Sequence, residues 1–168
     1  MNTTNTIKIA HLADIQIELR VSGTGKQRYD EYATVLTNCV PTCQMRNPEI
    51  IVITGDIFEY DATTGDEQLM FSKFLQSLLR IQTTKRVIII PGNHDIKQKY
   101  NALWVDGKQQ NVTDSIESIV ESINDERISY YKHSGIYDDS VYPIKWAVWS
   151  QIDKFSANEI KPSYSPWN

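Results

Sequence analysis

Long apolar runs are missing from this sequence, and cysteine is scarce. No stretch approaches the roughly 18 to 20 apolar residues that a membrane-spanning helix needs, and the opening MNTTNTIKIA lacks a charged leader followed by an apolar segment. The only cysteines, Cys39 and Cys43, lie four residues apart on a predicted helix, a spacing unsuited to a disulfide framework. These absences predict an intracellular protein with no membrane partner and with core thiols.

Excess positive charge is also missing. The 168 residues include 17 Lys and Arg against 21 Asp and Glu, which gives a formal net charge of -4. A uniformly basic nucleic-acid binder is therefore excluded, and any nucleic acid must be bound locally. Clustered carboxylates would be neutralised by divalent cations in a metalloenzyme. A hydrophobic content of 40% is sufficient for one packed domain.

Short apolar runs alternate with helical patterns along the chain. Residues 7–13 (IKIAHLA), 49–55 (EIIVITG) and 86–92 (RVIIIPG) are rich in β-branched side chains, as in strands that are covered on both faces. The helical spacing between them is carried by Tyr29, Ala33, Leu36 and Val40, with an interruption expected at Pro41, and by Met70, Phe74, Leu78 and Ile81. This β-α-β-α-β order predicts a layered α/β fold with a parallel-rich sheet flanked by helices.

Three further elements follow this core. Residues 114–123 predict a helix, which Asp114 and Glu117 would begin with a capping box. Residues 128–132 and 143–149 are strand candidates.

Polar side chains follow each of the first three predicted strands. Asp14 comes after the first strand and Asp56 after the second, while Asn93, His94 and Asp95 follow the third. Taken singly, such residues are ordinary turn formers. Because the carboxyl ends of parallel strands share one edge, however, the three turns should meet at the place where ligands bind. Carboxylate oxygens, an amide and an imidazole are suited to a pair of divalent cations that clamps a phosphoryl group.

The segments HLADIQIE, GDIFE and GNHD, in this order, resemble the first three motifs of the calcineurin-like metallophosphoesterases. The opening IAHLADIQI, the Gly-Asp-Ile-Phe form of the second motif and the helix with RYDEY resemble the SbcD-like nuclease branch. Protein serine/threonine phosphatases match less well, because their second motif continues with an Arg-Gly pair and their third ends in Glu. The resemblance covers most of residues 7–100.

This resemblance implies a set of metal ligands. It places Asp14 on the first metal ion, Asp56 between the two ions and Asn93 on the second ion. Gln16 stands where the family has a metal-binding histidine, and an amide oxygen is a weaker ligand for a transition metal than imidazole. We therefore expect the first metal site to be weakened.

The resemblance also implies roles beside the metals. His94 would protonate the leaving oxygen or stabilise the transition state without binding metal. Asp95 would orient His94 or cap the following turn. Glu59 lies where the nuclease branch can have a substrate-side residue, although a solvated charge is an equal alternative.

The implied activity is metal-dependent hydrolysis of phosphodiesters in DNA with two divalent ions, manganese being expected. The implied partners are DNA and an SbcC-like coiled-coil ATPase, with a homodimer as a further assembly, in the cytoplasm or at the nucleoid. Basic residues near the motifs, such as Arg20, Lys26 and Arg28, could contact the DNA backbone or simply be solvated. The alternatives are a phosphatase or phosphodiesterase for small substrates and a non-catalytic, metal-poor scaffold.

The later histidine motifs of the family have no counterpart in this sequence. The last histidine is His133, in KHSGIY, and it lacks the context of a ligand motif. His11 lies within the first strand, where a core histidine with a hydrogen-bond partner is expected. The resemblance therefore implies that residues 1–168 form the N-terminal portion of one nuclease domain, incomplete at the C-terminus, unless the protein is a degenerate one.

Overall fold

The fold is seen in a computed structural model, which describes residues 6–20, 25–60, 62–95, 104–105, 108–109 and 114–150. Its helices are α1 (Gly25–Arg46), α2 (Gly65–Leu79) and α3 (Ser115–Ile123). Its strands are β1 (Ile9–Ala13), β2 (Ile50–Thr54), β3 (Arg86–Ile90), β4 (Trp104–Val105), β5 (Lys108–Gln109), β6 (Ile128–Tyr130), β7 (Gly135–Asp138) and β8 (Lys145–Val148). None of the helices in these ranges combines the length and the apolar character that crossing a bilayer requires.

Four strands form one parallel sheet in the order β1-β2-β3-β6. The central strands β2 and β3 are buried over their first four residues, which explains why their sequences read as continuous apolar runs. By contrast, β1 lies at one side of the sheet and alternates between exposed and half-buried residues. The predicted layered α/β class, its parallel sheet and its β-α-β-α-β order are confirmed.

The two faces of the sheet are covered differently. The helices pack on the face that carries Ile51, Ile53, Val87 and Ile89, and this packing forms the larger core. The opposite face is covered by the antiparallel hairpin of β7 and β8, which contributes Val148, Tyr137 and Trp146 to a smaller core with Ile50, Val52 and Ile88. Strand β8 matches the predicted strand over residues 143–149, whereas β7 was not predicted. The reason is that β7 is short, begins with glycine and is buried only in part.

The predicted interruption of α1 at Pro41 is wrong. The helix continues through this residue to Arg46. Pro41 is exposed, and so is Thr37, whose carbonyl loses its usual N–H partner four residues later. Water can hydrate that carbonyl, so the helix tolerates a proline on its solvent side.

The beginnings of α2 and α3 depend on side-chain caps. Thr64 and Glu67 form a complete capping box at α2, in which each side chain accepts a hydrogen bond from the backbone of the other residue. At α3, Asp114 accepts a hydrogen bond from the backbone N–H of Glu117 at 2.7 Å, as predicted. The Glu117 carboxylate accepts a hydrogen bond from Lys132 Nζ at 2.6 Å.

Candidate metal centre

Three loops leave the carboxyl ends of neighbouring parallel strands. We name them the first loop (residues 14–20, after β1), the second loop (residues 55–60, after β2) and the third loop (residues 91–95, after β3). The first and second loops are joined by backbone hydrogen bonds, from Gln16 N–H to the Asp56 carbonyl and from Ile17 N–H to the Ile57 carbonyl, both at 2.9 Å. The parallel pairing of β1 and β2 therefore continues beyond the sheet and holds the two loops side by side.

The third loop is packed directly against Asp56. Gly92 comes so close that a Cβ atom at its position would lie 2.1 Å from the Asp56 backbone nitrogen and from its Oδ1. The backbone N–H of His94 donates a hydrogen bond to the same Oδ1 at 3.0 Å. Only glycine allows this approach, and it places the Asp56 carboxylate at the junction of the second and third loops.

Left-handed backbone conformations are concentrated at the predicted ligands. In the described residues, positive φ angles outside glycine occur at five positions, of which Asp14 (50°), Gln16 (50°) and Asp56 (37°) lie in the loops. The other two, Asn47 and Asn124, are asparagines that follow helices, where this conformation is ordinary. Asp tolerates the left-handed region better than most residues, whereas Gln has no such preference. Strain of this kind is common at functional sites.

Asp95 joins the second and third loops through its carboxylate. The side chain is buried and accepts hydrogen bonds from Gly92 N–H at 2.9 Å, Phe58 N–H at 2.9 Å and Ile57 N–H at 3.2 Å. Burial raises the pKa of Asp95 to about 6, although the three N–H groups act in the opposite direction. Asp95 was expected to orient His94 or to cap the next turn. Its hydrogen bonds join the third loop, which carries His94, to the second loop, which carries Asp56. The turn after Asp95 lies outside the described residues.

Glu59 provides the contacts of the His94 ring. The Glu59 backbone carbonyl lies 2.7 Å from His94 Nδ1, and a Glu59 carboxylate oxygen lies 4.0 Å from the same nitrogen. A carbonyl oxygen can only accept a hydrogen bond, so Nδ1 carries the proton in this contact. The other ring nitrogen, Nε2, is then the one that can exchange a proton with a substrate. Glu59 was expected either at the substrate side or as a solvated charge, and its backbone carbonyl is a hydrogen-bond partner of the His94 ring.

The predicted metal ligands lie on the loops of one sheet edge. Asp14 and Gln16 are exposed on the first loop, whereas Asp56 and Asn93 are half-buried on the other two. Two carboxylates and two amide oxygens are donors that hard divalent cations accept, so the residues fit such ions in chemical type. Within the described ranges, no three His, Cys, Asp or Glu side chains form a group that could hold a metal ion. The amides of Gln16 and Asn93 are further oxygen donors on the same loops.

Other candidates lie away from the loops or already have partners. Lys26 forms an ion pair with Asp30 at 2.9 Å on α1, where both side chains are largely exposed. His11 was expected in the core, but it lies on an exposed face of β1, and its Nε2 is 2.6 Å from Thr54 Oγ1. This strand is at the side of the sheet, so burial there is incomplete. His133 is exposed between β6 and β7.

Two supporting contacts were not predicted from the sequence. The Tyr32 hydroxyl of α1 donates a hydrogen bond to the Gln16 carbonyl at 2.6 Å, and the buried Glu67 carboxylate accepts one from Leu19 N–H at 2.9 Å. The first loop is thus held by α1 near its start and by α2 near its end. The RYDEY segment was a usable signal for the first contact, while the second has no local signal because the partners are 48 residues apart.

A comparison with known families agrees with this arrangement. The model of the calcineurin-like phosphoesterase family matches residues 7–167, a range that includes all three loops. Members of this family are hydrolases that act on phosphoesters and typically bind two divalent metal ions. The matched range covers nearly the whole sequence, and the chain belongs to the calcineurin-like phosphoesterase family.

Proposed function

We propose that this protein is a metal-dependent phosphodiesterase that cleaves DNA, with manganese as its expected metal. One observation carries the proposal: hydrogen bonds join the three strand-end loops that carry Asp14, Asp56, Asn93 and His94 at a single edge of the sheet. The opening IAHLADIQI, the Gly-Asp-Ile-Phe form of the second motif and the RYDEY segment resemble the SbcD-like branch and favour a nuclease over a phosphatase for small substrates.

The residues divide the chemistry between binding and proton transfer. Asp14, Gln16, Asp56 and Asn93 would hold the divalent ions, which supply Lewis-acid charge and activate water when bound. His94, oriented through Nδ1 by the Glu59 carbonyl, protonates the leaving oxygen from Nε2. Asp95 keeps the second and third loops in register, so the backbone that presents His94 and the Asp56 carboxylate does not need to reorganise during the reaction.

The proposal includes the assembly in which the protein works. The resemblance to the SbcD-like branch supports an SbcC-like coiled-coil ATPase as partner, in the cytoplasm or at the nucleoid, and a homodimer is the alternative assembly. Co-purification of the tagged chain with such an ATPase from the native cell supports the first arrangement. Light scattering that gives twice the monomer mass for the isolated chain supports the second.

The experiment compares three substrates in the presence of manganese: single-stranded DNA, bis(4-nitrophenyl) phosphate and 4-nitrophenyl phosphate. In the complete protein we expect cleavage of the DNA and the diester. His94→Ala should lower kcat by about 10² to 10⁴ because a general acid is lost, while the bound manganese, measured by elemental analysis, stays unchanged. His11→Ala is the matched control, since His11 is exposed on β1 outside the loops.

Three other results would contradict the proposed function or the role of His94 in it. Cleavage of the monoester alone would make the protein a small-substrate phosphatase. Loss of manganese together with activity in His94→Ala would make this histidine a ligand rather than an acid. Absence of all hydrolysis, with manganese binding unaffected by Asp14→Ala, would favour the non-catalytic scaffold.

A further inference from the structure

An aromatic side chain and a cation lie together at the far ends of the first and second loops. The guanidinium of Arg20 is 5.7 Å from the centre of the Tyr60 ring, within the range of a cation–π contact. Tyr60 keeps 48% of its surface exposed despite this neighbour. We name Arg20 and Tyr60 the platform.

A buried carboxylate, that of Glu67, holds the Arg20 guanidinium of the platform in place. Arg20 Nη2 lies 3.5 Å from Glu67 Oε2, and the side chain of Glu67 is only 3% exposed. Glu67 itself is held by the backbone N–H groups of Leu19 and Thr64 at 2.9 and 2.6 Å. Since the contact with Glu67 uses one terminal nitrogen, and arginine carries five N–H donors, the guanidinium can still donate to an anion.

The platform is continuous with the candidate metal centre. Tyr60 directly follows Glu59, whose carbonyl orients His94, and Glu59 N–H donates a hydrogen bond to the Ile17 carbonyl of the first loop at 3.2 Å. Tyr60 is four residues beyond Asp56, a span of at most about 13 Å in extended chain. The platform is therefore near enough to the candidate metal centre to contact a nucleotide next to the phosphate under attack.

The geometry points to the platform as a binding site for a flanking nucleotide of single-stranded DNA, with Tyr60 stacking on the base and Arg20 contacting the adjacent phosphate. An aromatic ring beside a fixed cation is how proteins bind single strands without reading their sequence. This inference rests on the proposed function, which it deepens by assigning residues to substrate binding.

The test measures the binding of a fluorescein-labelled oligothymidylate to the full chain by anisotropy over a series of salt concentrations. Arg20→Gln should weaken binding and reduce the slope of log K against log[salt] by about 0.7, the value for one lost phosphate contact on a single strand. Tyr60→Leu should weaken binding by about tenfold through lost stacking and leave the slope unchanged. Tyr60→Phe, which keeps the ring, should bind like the wild type.

Two controls separate binding at the platform from general effects. Lys26→Gln removes a cation whose side chain is 90% exposed on α1 and should leave both affinity and slope unchanged. Arg20→Lys guards against misfolding of the glutamine variant, because it keeps the charge beside Glu67 and should keep the salt slope while losing the planar contact with Tyr60.

Hydrolysis measurements distinguish this inference from the proposed function. Arg20→Gln and Tyr60→Leu should raise KM for single-stranded DNA and leave the hydrolysis of bis(4-nitrophenyl) phosphate unchanged, because the small diester carries no flanking nucleotide for the platform to bind. If both variants bind and cleave the oligonucleotide like Lys26→Gln, or if the wild type binds no oligonucleotide, the platform assignment is wrong. Failure to hydrolyse any diester would instead overturn the proposed function.

Discussion

Gln16 combines a strained backbone conformation with an amide oxygen as its possible metal ligand. Its φ angle of 50° is one that glutamine rarely adopts, and its backbone is bonded on both sides, to Asp56 and to the Tyr32 hydroxyl. These two backbone hydrogen bonds hold Gln16 in this conformation. Strain that is maintained in this way indicates a functional position. The amide oxygen, however, is a weaker ligand for a transition metal than the imidazole that the resemblance implies at this position.

The prediction at the scale of a residue concerns a variant in which an imidazole replaces the amide of Gln16. Gln16→His should tighten manganese binding at least about tenfold, which corresponds to about 1.4 kcal/mol, and should lower the metal concentration needed for activity. Stability should be unchanged or slightly higher, because histidine enters the left-handed region more readily than glutamine. Calorimetric titration measures the affinity. Gln27→His, at an exposed position on α1, is the control. If Gln16→His and Asp14→Ala both leave manganese binding unchanged, the first loop is not part of a metal site.

Around His94, the positions of the site residues could be predicted from the sequence, whereas the contacts between the loops could not. The motifs placed Asp14, Asp56, Asn93 and His94 correctly at one sheet edge, because strand ends and parallel pairing follow from apolar runs. The sequence did not reveal that the Glu59 carbonyl orients the His94 ring or that Asp95 bonds to Ile57 and Phe58. These are contacts between segments about 35 to 40 residues apart, and local patterns do not encode them.

At the scale of elements, the strands were more predictable than the features that interrupt or join them. The central strands β2 and β3 are covered on both faces, so their side chains show as unbroken apolar runs. The helix α1 was predicted from the helical spacing of its apolar residues. That the helix continues through Pro41 depends on water that can hydrate the exposed carbonyl left without an N–H partner, and the residue type alone does not show this exposure. The capping residue Glu67 serves both α2 and the first loop, because its two oxygens accept from Thr64 and Leu19.

The prediction at this scale concerns Glu67 and pH. Burial raises the pKa of Glu67, but hydrogen bonds from Thr64 and Leu19 outweigh it and hold the pKa below its ordinary value. A lowered folded-state pKa contributes stability above the unfolded-state pKa, and this contribution is lost as the pH falls through the folded-state value. Glu67→Gln should therefore lower the free energy of unfolding by about 1 to 3 kcal/mol at pH 7. The NH2 group of the glutamine cannot accept a hydrogen bond, so one of the two backbone N–H groups would lose its acceptor.

The difference between wild type and Glu67→Gln should shrink once the pH falls below about 4.3, the ordinary pKa of glutamate. Urea unfolding at pH 7 and at successively lower pH measures it. Glu121→Gln, at an exposed position on α3, should change stability by less than about 0.5 kcal/mol at either pH. A difference that is the same at neutral and acidic pH would mean that the charge of Glu67 does not contribute.

At the scale of the whole molecule, different elements cover the two faces of the sheet. The helices form the larger core on one face, and the β7–β8 hairpin closes part of the other. The hairpin is anchored by a buried ion pair, in which Arg86 Nε of β3 lies 3.4 Å from Asp139 Oδ2. Arg86 is the first residue of β3, while the third loop follows the last one. The anchor and the candidate metal centre are thus separated by the length of the strand, about 16 Å.

This separation predicts that the hairpin supports the fold without tuning the metal centre. Asp139 also accepts a hydrogen bond from Trp146 Nε1 at 2.9 Å and bonds the backbone of Val141 and Tyr142. Asp139→Ala should lower the free energy of unfolding by about 3 to 5 kcal/mol, since it leaves the Arg86 charge buried without its partner. Asp138→Ala is the matched control: the neighbouring carboxylate is 79% exposed and should contribute less than about 0.5 kcal/mol.

The decisive measurement combines urea unfolding with manganese titration of the same variants under conditions in which each remains folded. Asp139→Ala should unfold at a lower urea concentration, yet bind manganese with the affinity of the wild type, because none of its contacts involves the three loops. Mutations at distant sites with no shared partners usually act independently. If the affinity fell in Asp139→Ala and not in Asp138→Ala, the hairpin and the loops would be coupled through β3, and the metal centre would depend on both faces of the sheet.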